Sequence, residues 1–254
     1  TDWKSVASNI TCGYGIKQNG TMWSWGRDAT SVGYNFGGVV EPFANAGSVL
    51  FYDGDYFSIA SDDTLNLGTG DFTIECWVKS LSSVGASTYA HIGGKGDGVL
   101  PWTYNIAFYQ SKFTFGGQDD GTGGIIMYQS SSDVTNNTWY HLAVTRSSGT
   151  LKMYINGLLE HTSTNINTDF TNTEPFTIGD RKPNDPYLQY PFDGYISNFR
   201  LVKGNALYTS NFTVPNAPLP AVTGTELLIC QGSFADFSNN QHSVSGGGPP
   251  TASG

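Results

Sequence analysis

The chain has 254 residues, enough to bury a substantial hydrophobic core. It carries 12 Lys and Arg against 21 Asp and Glu, a net charge of −9, and charged residues make up only 13% of it. Nucleic-acid binding needs clustered basic side chains, so this composition predicts no nucleic-acid partner. The aromatic content of 14% argues against disorder. No apolar run approaches the roughly 18 residues of a membrane span, so we expect no membrane insertion.

Short segments of period-two hydrophobicity run along the whole chain, separated by Gly, Asn, Asp and Ser turns. No stretch shows a helical period with caps. We therefore predict an all-β protein: a two-sheet antiparallel jelly-roll sandwich with a small N-terminal β-ribbon extension. After the ribbon, the predicted strands are 49–52, 56–60, 72–79, 104–109, 112–116, 125–129, 139–146, 150–156, 175–179, 194–202 and 226–230.

One predicted hairpin is especially clear. The strands Trp139–Arg146 and Thr150–Asn156 are joined by a short Gly-containing connection at 147–149. The dipeptide Asn156-Gly157 then predicts a type I′ turn into a third antiparallel strand.

The three cysteines, Cys12, Cys76 and Cys230, show no metal-like spacing and are odd in number. We expect buried, reduced thiols. Cys76 supports this because it alternates with apolar residues that would share one face of a strand, namely Phe72, Ile74 and Val78.

Two interruptions divide the chain. Gly37-Gly38 and Pro42 break the pattern early, and three prolines between 214 and 220 require an extended connection. We predict a β segment at 1–40, a sandwich at 41–220, and a C-terminal strand with a Gly/Pro-rich tail at 221–254. Within that tail, 246–250 is predicted to be loop or linker.

Four segments resemble the laminin G-like, or concanavalin A-like, jelly-roll superfamily, in the version found in large phage and marine microbial proteins. They are Leu50–Phe57, Gly68–Val78, Trp139–Gly157 and Gly194–Gly204. The resemblance implies the sandwich fold for about 47–219. It says little about activity, since one sandwich supports many functions.

The N-terminus and the C-terminus carry two further resemblances. Trp3–Val6 with Gly15–Asp28 is similar to one repeat of the regulator-of-chromosome-condensation propeller, and one repeat cannot close a propeller. Leu227–Cys230 with Phe234–Asn240 resembles the segment that usually opens a laminin G-like domain. This strand would begin a second copy, complete this sandwich, or join a neighbour's sheet edge.

The sequence offers few catalytic groups. Its five Glu residues include no pair at the spacing that concanavalin-like glucanases use for general acid and nucleophile. The four His residues lie in no metal motif, and His141 is expected to be a structural residue within a strand. We predict that the protein is not an enzyme.

Calcium is the candidate cofactor, because sandwiches of this superfamily often hold Ca²⁺ through loop oxygens. The resemblance points to Asp236 and Asn239 as ligands. Ser197 and Asn198 stand where many relatives have an Asp pair, which weakens the site because hard cations favour charged oxygens. Turn formation is the competing interpretation of these residues.

Two aromatic-rich segments are candidate contact surfaces, and Gly93–Gly98 is predicted to form a flexible loop between strands. The segment 81–110 contributes Tyr89, His91, Trp102 and Tyr104, and the segment 180–192 contributes Arg181, Tyr187 and Tyr190. Such side chains suit another protein subunit or a glycan, because sugars stack on exposed rings. Packing within the chain is the third interpretation.

Two functional hypotheses follow. The first is a non-enzymatic structural or host-recognition protein of a virion, such as a fibre, appendage or capsid-surface decoration. Its partners would be other virion subunits or copies of itself in a homo-oligomer, with a host-surface glycan as a further ligand. The second is a secreted or surface-attached lectin-like module that binds carbohydrate, with or without calcium. Both place the protein on a virion surface or outside the cell.

Overall fold

The computed structural model describes residues 3–8, 12–17, 22–26, 47–52, 54–85, 89–96, 104–118, 125–181, 190–247 and 251–253. Backbone contacts divide the chain into two units, Thr1–Ala44 and Asn45–Gly254. The first unit holds a three-stranded antiparallel sheet in the order β1-β2-β3. Its strands are β1 (Trp3–Ser8), β2 (Cys12–Lys17) and β3 (Met22–Gly26).

Fifteen strands lie in the described residues of the second unit. They are β4 (Ser48–Phe51), β5 (Tyr56–Ile59), β6 (Phe72–Ser80), β7 (Ala90–Lys95), β8 (Tyr104–Tyr109), β9 (Lys112–Gln118), β10 (Ile125–Asp133), β11 (Trp139–Ser147), β12 (Thr150–Ile155), β13 (Leu158–Ser163), β14 (Phe176–Ile178), β15 (Gly194–Lys203), β16 (Thr225–Ile229), β17 (Val244–Gly247) and β18 (Thr251–Ser253). Apart from one 3₁₀ turn at Asp63–Leu65, the described residues contain no helix.

These strands form two antiparallel sheets. The seven-stranded sheet has the order β10-β9-β8-β7-β14-β5-β17. The eight-stranded sheet has the order β13-β12-β11-β6-β15-β4-β18, with β16 also paired to β15. The all-β, two-sheet jelly-roll prediction is therefore confirmed.

The core lies between the sheets because alternate residues of each strand point inward. On β6 the inward residues are Phe72, Ile74, Cys76 and Val78, as the sequence pattern predicts. Cys76 and Cys230 are both buried free thiols. Each buried Leu, Ile or Phe contributes about 1.5–3 kcal/mol, so these inward faces supply the main driving force for folding.

The hairpin prediction is confirmed. Strand β11 pairs with β12, and β12 pairs with β13. At the second turn Asn156 and Gly157 have φ of 51° and 77°, the left-handed pair that a type I′ turn requires.

The C-terminal segment completes the sandwich within the same chain. Strand β16 pairs with β15, β17 pairs with β5, and β18 pairs with β4. The prediction that 246–250 is loop or linker is wrong for Gly246 and Gly247, which belong to β17. The predicted flexible loop at 93–98 is likewise wrong for Gly93–Lys95, which lie in β7.

Candidate functional site

The face of the seven-stranded sheet that points away from the core collects an unusual set of side chains. On β8, Tyr104, Ile106 and Phe108 point into the core, so the alternate residues Asn105 and Tyr109 lie on the opposite side, the outer face. Neighbouring strands add further polar residues to this outer face, and these are buried: His91 on β7, Thr114 on β9 and Thr177 on β14.

Three tyrosines form one cluster at this face. The rings of Tyr89 and Tyr109 stack with centroids 4.7 Å apart and planes within 13°. Tyr190 meets Tyr89 edge to face at 6.1 Å. All three side chains are partly exposed. We call this set, Tyr89, Tyr109 and Tyr190, the tyrosine cluster.

Arg181 extends the tyrosine cluster with a cation. Its guanidinium carbon lies 4.1 Å from the centroid of the Tyr190 ring, a cation–π contact. The backbone of Tyr190 is fixed on both sides, since its N–H donates to Asp180 Oδ1 at 2.8 Å and its carbonyl accepts from His91 N–H at 2.9 Å. The cluster is thereby tied to both β7 and the residues that follow β14.

His91 is a neutral polar group at physiological pH. Burial, and secondarily the charge of Arg181, lowers the pKa of His91 to about 3. Its Nε2 lies 3.2 Å from the Thr177 carbonyl oxygen and 3.1 Å from the Thr177 hydroxyl. These contacts fix the ring against β14.

The structure brings together four of the predicted contact residues, Tyr89, His91, Arg181 and Tyr190, from two segments distant in sequence. Tyr104 does not join them. It points into the core with 1% exposure, and its hydroxyl donates to the Leu65 carbonyl at 2.5 Å. Trp102 and Tyr187 lie outside the described residues.

Sequence reasoning overlooked three residues of this face, Asn105, Tyr109 and Met127. The hydroxyl of Tyr89 contacts the sulfur of Met127 on β10, so the Tyr89 side chain joins residues of β8 and β10. The strand prediction for 104–109 already contained the signal, because the apolar phase of Tyr104, Ile106 and Phe108 places the intervening residues outward.

Asp236, a predicted calcium ligand, is engaged within the protein. Its Oδ1 accepts from the backbone N–H of Leu228 and Ser238 at 3.0 and 2.8 Å. Its Oδ2 accepts from the Ser238 hydroxyl at 2.8 Å and from His242 N–H and Nδ1 at 2.9 and 2.7 Å. Burial would raise the pKa of Asp236, but these hydrogen bonds hold it below its ordinary value.

The other two predicted calcium ligands, Asn198 and Asn239, differ in burial. Asn198 is buried with φ of 53°, and its Oδ1 accepts from Leu219 N–H and Gln231 Nε2, both at 2.8 Å. Asn239 is exposed. Among the residues that the structure describes, no group of three or more His, Cys, Asp or Glu side chains is placed to hold a metal ion.

The outer side of the eight-stranded sheet carries a concave region. It is an open depression of about 190 Å³ lined by Thr145, Ser147, Thr150, Lys152, Tyr208 and Thr209. Two of its polar side chains are engaged within the protein, since the Thr145 hydroxyl donates to the Tyr208 carbonyl at 2.9 Å and Lys152 Nζ to the Thr209 carbonyl at 2.5 Å. The tyrosine cluster is therefore the better candidate site.

The class of protein follows from this architecture: a two-sheet β-sandwich with a polar, aromatic outer face on one sheet. Residues 52–207 match the family model Laminin_G_3, described as the concanavalin A-like lectin/glucanases superfamily. The chain belongs to this family. None of the curated proteins matches the chain significantly.

Solved structures show the same fold. A protein of Bacteroides ovatus, described as a candidate carbohydrate-binding protein, superposes with a TM-score of 0.55 at 15% identity, over 98% of this chain and 80% of its own. The heptameric SAP-like pentraxin of Limulus polyphemus superposes with a TM-score of 0.51 at 15% identity, over 80% of this chain and 95% of its own. In the described part of the chain, no helix is long and apolar enough to cross a bilayer.

Proposed function

We propose that this chain is a non-enzymatic carbohydrate-binding module and that it binds its glycan on the outer face of the seven-stranded sheet. The observation that carries the proposal is the tyrosine cluster, Tyr89, Tyr109 and Tyr190, with Arg181 against it. Partly exposed rings offer flat apolar surfaces for the C–H faces of a sugar, and neighbouring polar groups can fix its hydroxyls.

The rigidity of the cluster favours binding. The Tyr89 and Tyr109 rings hold each other by stacking, and the Tyr190 backbone is fixed by Asp180 and His91. Side chains that are ordered before the ligand arrives lose less conformational entropy when it binds. The family match to the concanavalin A-like lectin/glucanases superfamily supports the same class of ligand, as does the same fold in the candidate carbohydrate-binding protein of Bacteroides ovatus.

The first experiment is a glycan array probed with the wild-type chain, followed by calorimetry on the best ligand. We expect Tyr190→Ala and Tyr109→Ala to weaken binding at least about tenfold, the loss of about 1.4 kcal/mol from one aromatic contact. Tyr52→Ala is the matched control, because Tyr52 is 62% exposed and directly follows β4 of the other sheet. Equal binding by all three variants would contradict the site, and an array with no bound glycan would contradict the function.

The more specific sequence-based hypotheses belong to this proposal as predictions. They are assembly on a virion surface or another extracellular location, a homo-oligomeric state, and a propeller-like repeat at 1–40. Native mass spectrometry with and without a chelator tests oligomerisation and calcium together. Hydrolysis assays on the glycan that binds test the absence of enzymatic activity.

A further inference from the structure

Lys95 is a fully buried lysine at the end of β7. Its exposure is 0%, although lysines are almost never fully buried unless their charge is paired. In the sheet it lies between Tyr104 of β8 and Phe176 of β14, and both of these side chains belong to the core. Burial lowers the pKa of Lys95, and the charges of Asp63 and Asp62 oppose this shift only in part. The environment therefore increases the fraction of neutral amine, which is the nucleophilic form.

The amine of Lys95 reaches the side chain of Asn66, the residue that directly follows the 3₁₀ turn Asp63–Leu65. Nζ lies 2.6 Å from Asn66 Oδ1, and it also donates to the carbonyls of Asn172 and Asp62 at 2.7 and 3.2 Å. Because Cγ is bonded to Oδ1, Nζ is also close to the carbonyl carbon that a nucleophile attacks. Asn66 is 5% exposed, so the two groups are held together away from bulk water, which accelerates a reaction between them.

The other hydrogen bonds of Asn66 orient its amide for attack. Oδ1 accepts from the backbone N–H of Asn172 at 3.1 Å, and Nδ2 donates to Asp63 Oδ1 at 3.0 Å. The first contact stabilises negative charge that develops on Oδ1, as the donors of an oxyanion hole do. The second places the carboxylate of an exposed residue beside the nitrogen that has to leave. A nucleophile, an oxyanion donor and a proton relay thus surround one amide.

We propose that Lys95 and Asn66 become joined by an isopeptide bond, an amide between their side chains, in the folded chain. The ammonium first loses one proton to solvent. The Nζ lone pair then forms a bond to Asn66 Cγ, and the carbonyl electron pair moves onto Oδ1. When the carbonyl re-forms, the bond from Cγ to Nδ2 breaks, and a second Nζ proton passes to Nδ2 by way of Asp63. The products are a secondary amide and one ammonia, and the reaction consumes no oxidant or other reactant.

This bond ties the end of β7 to the turn that precedes β6. It closes the chain between Asn66 and Lys95 and so restricts the unfolded state, as a disulfide does. Unlike a disulfide it resists reducing agents, and it needs no cysteine; Cys76 and Cys230 remain free thiols. Neither partner belongs to the tyrosine cluster, so the bond is independent of glycan binding.

Mass spectrometry of the denatured wild-type chain is the first measurement. We expect a mass lower than that of the sequence by one ammonia. Trypsin cuts after Lys79, between Asn66 and Lys95, so a digest should contain one branched species that holds both residues. This peptide map also distinguishes the bond from ring closure at Asn156-Gly157, which releases ammonia from a different peptide.

The variants assign the bond to its two side chains. Lys95→Arg removes the amine and Asn66→Ala removes the reacting carbonyl, so each should show its full sequence mass and no branched species. After refolding, Asp63→Ala should form the bond more slowly than the wild type. Lys112→Arg is the control, because Lys112 pairs with Asp133 at the surface and should retain the ammonia loss.

Two results would overturn the proposal. They are a folded wild-type chain at full sequence mass, and a branched species that persists in Asn66→Ala. Should the variants not fold, the wild-type mass and its tryptic digest still decide, because the digest identifies both joined residues directly.

Discussion

Arg200 donates two hydrogen bonds to a single carboxylate oxygen of Glu75, from Nε at 2.9 Å and from Nη2 at 2.5 Å. The other oxygen of Glu75 accepts from the Tyr208 hydroxyl at 2.9 Å and lies 3.1 Å from His141 Nε2. Burial alone would raise the pKa of Glu75, but His141 and the charge of Arg200 hold it below its ordinary value. This cluster joins β6, β11 and β15 on the eight-stranded sheet.

Glu75→Gln should lower the free energy of unfolding by about 3 kcal/mol, because it leaves the Arg200 charge buried without a compensating carboxylate. Urea unfolding at pH 7 measures the change. Glu160→Gln is the control, since Glu160 accepts its hydrogen bonds from Ser131 and Ser132 at a partly exposed position. We expect the control to lose about 1 kcal/mol. Equal losses in the two variants would show that the buried ion pair contributes no more to stability than the hydrogen bonds of Glu160.

His91 should make the protein less stable in mild acid. Its pKa is about 3 in the folded chain, and about 6.5 is expected once unfolded. As the pH falls below 6.5, His91 binds a proton in the unfolded chain but not in the folded chain, so the free energy of unfolding decreases. Between pH 7 and pH 5 the loss is about 2 kcal/mol. Glu75 and Asp236 have lower pKa values in the folded chain than in the unfolded chain. Their protonation therefore reduces stability further, but only below about pH 4.5.

The measurement is a series of urea unfolding curves between pH 7 and pH 5. His91→Gln should flatten this part of the stability profile. His161→Gln should change it less, because the His161 ring is only partly buried. If the wild type and His91→Gln respond identically to pH, His91 is not the group responsible.

The fold was predictable because its determinants are local. Alternation of Phe72, Ile74, Cys76 and Val78 marks an inward face without any knowledge of the partner strand. Strand β7 escaped prediction because Gly93 and Gly94 resemble a flexible loop in sequence. The structure supplies the reason for them: a Cβ at Gly93 would lie 2.6 Å from the Phe199 ring, and one at Gly94 would meet Asn105.

The candidate site was only partly predictable. Aromatic content pointed to Tyr89 and Tyr190, but their meeting depends on the register of β7 and the path of the chain after β14. Only the alternation of residues along a strand distinguishes an aromatic side chain that faces outward from one that faces the core. Tyr104 was predicted as a contact residue, but it faces the core. Likewise, the Asn105 side-chain amide is buried without a hydrogen-bond partner, and this depends on the packing of the sheet rather than on the local sequence.

Arg146→Lys should lower the free energy of unfolding by about 3 kcal/mol. The Arg146 guanidinium is fully buried and donates to the carbonyls of Gly68, Gly70 and Thr168 at 2.6, 2.7 and 2.8 Å. The rings of Phe72 and Phe170 lie 5.1 Å from its central carbon. A lysine reproduces neither the planar fork nor the stacking, and unpaired buried carbonyls cost about 1–3 kcal/mol each.

Thermal and urea unfolding test this substitution against Lys112→Ala. Lys112 pairs with Asp133 at 2.7 Å at the surface, where an ion pair contributes about 1 kcal/mol or less. A loss for Arg146→Lys no greater than that of Lys112→Ala would contradict the structural role assigned to the guanidinium.

Asp236→Asn should destabilise the chain whether or not calcium is present. The Asp236 carboxylate accepts from Leu228 N–H, Ser238 N–H and the Ser238 hydroxyl, and it pairs with His242 Nδ1. An amide can reproduce the acceptor at only one of its two terminal atoms, so we expect a loss of about 2 kcal/mol. A calcium ligand would behave differently, since the stability gained from a bound ion appears only when the ion is supplied. Melting curves of the wild type and Asp236→Asn in excess Ca²⁺ and in chelator separate the two roles. A difference in Tm that vanishes in chelator would assign Asp236 to calcium, whereas a constant difference assigns it to holding the 230–242 segment against β16.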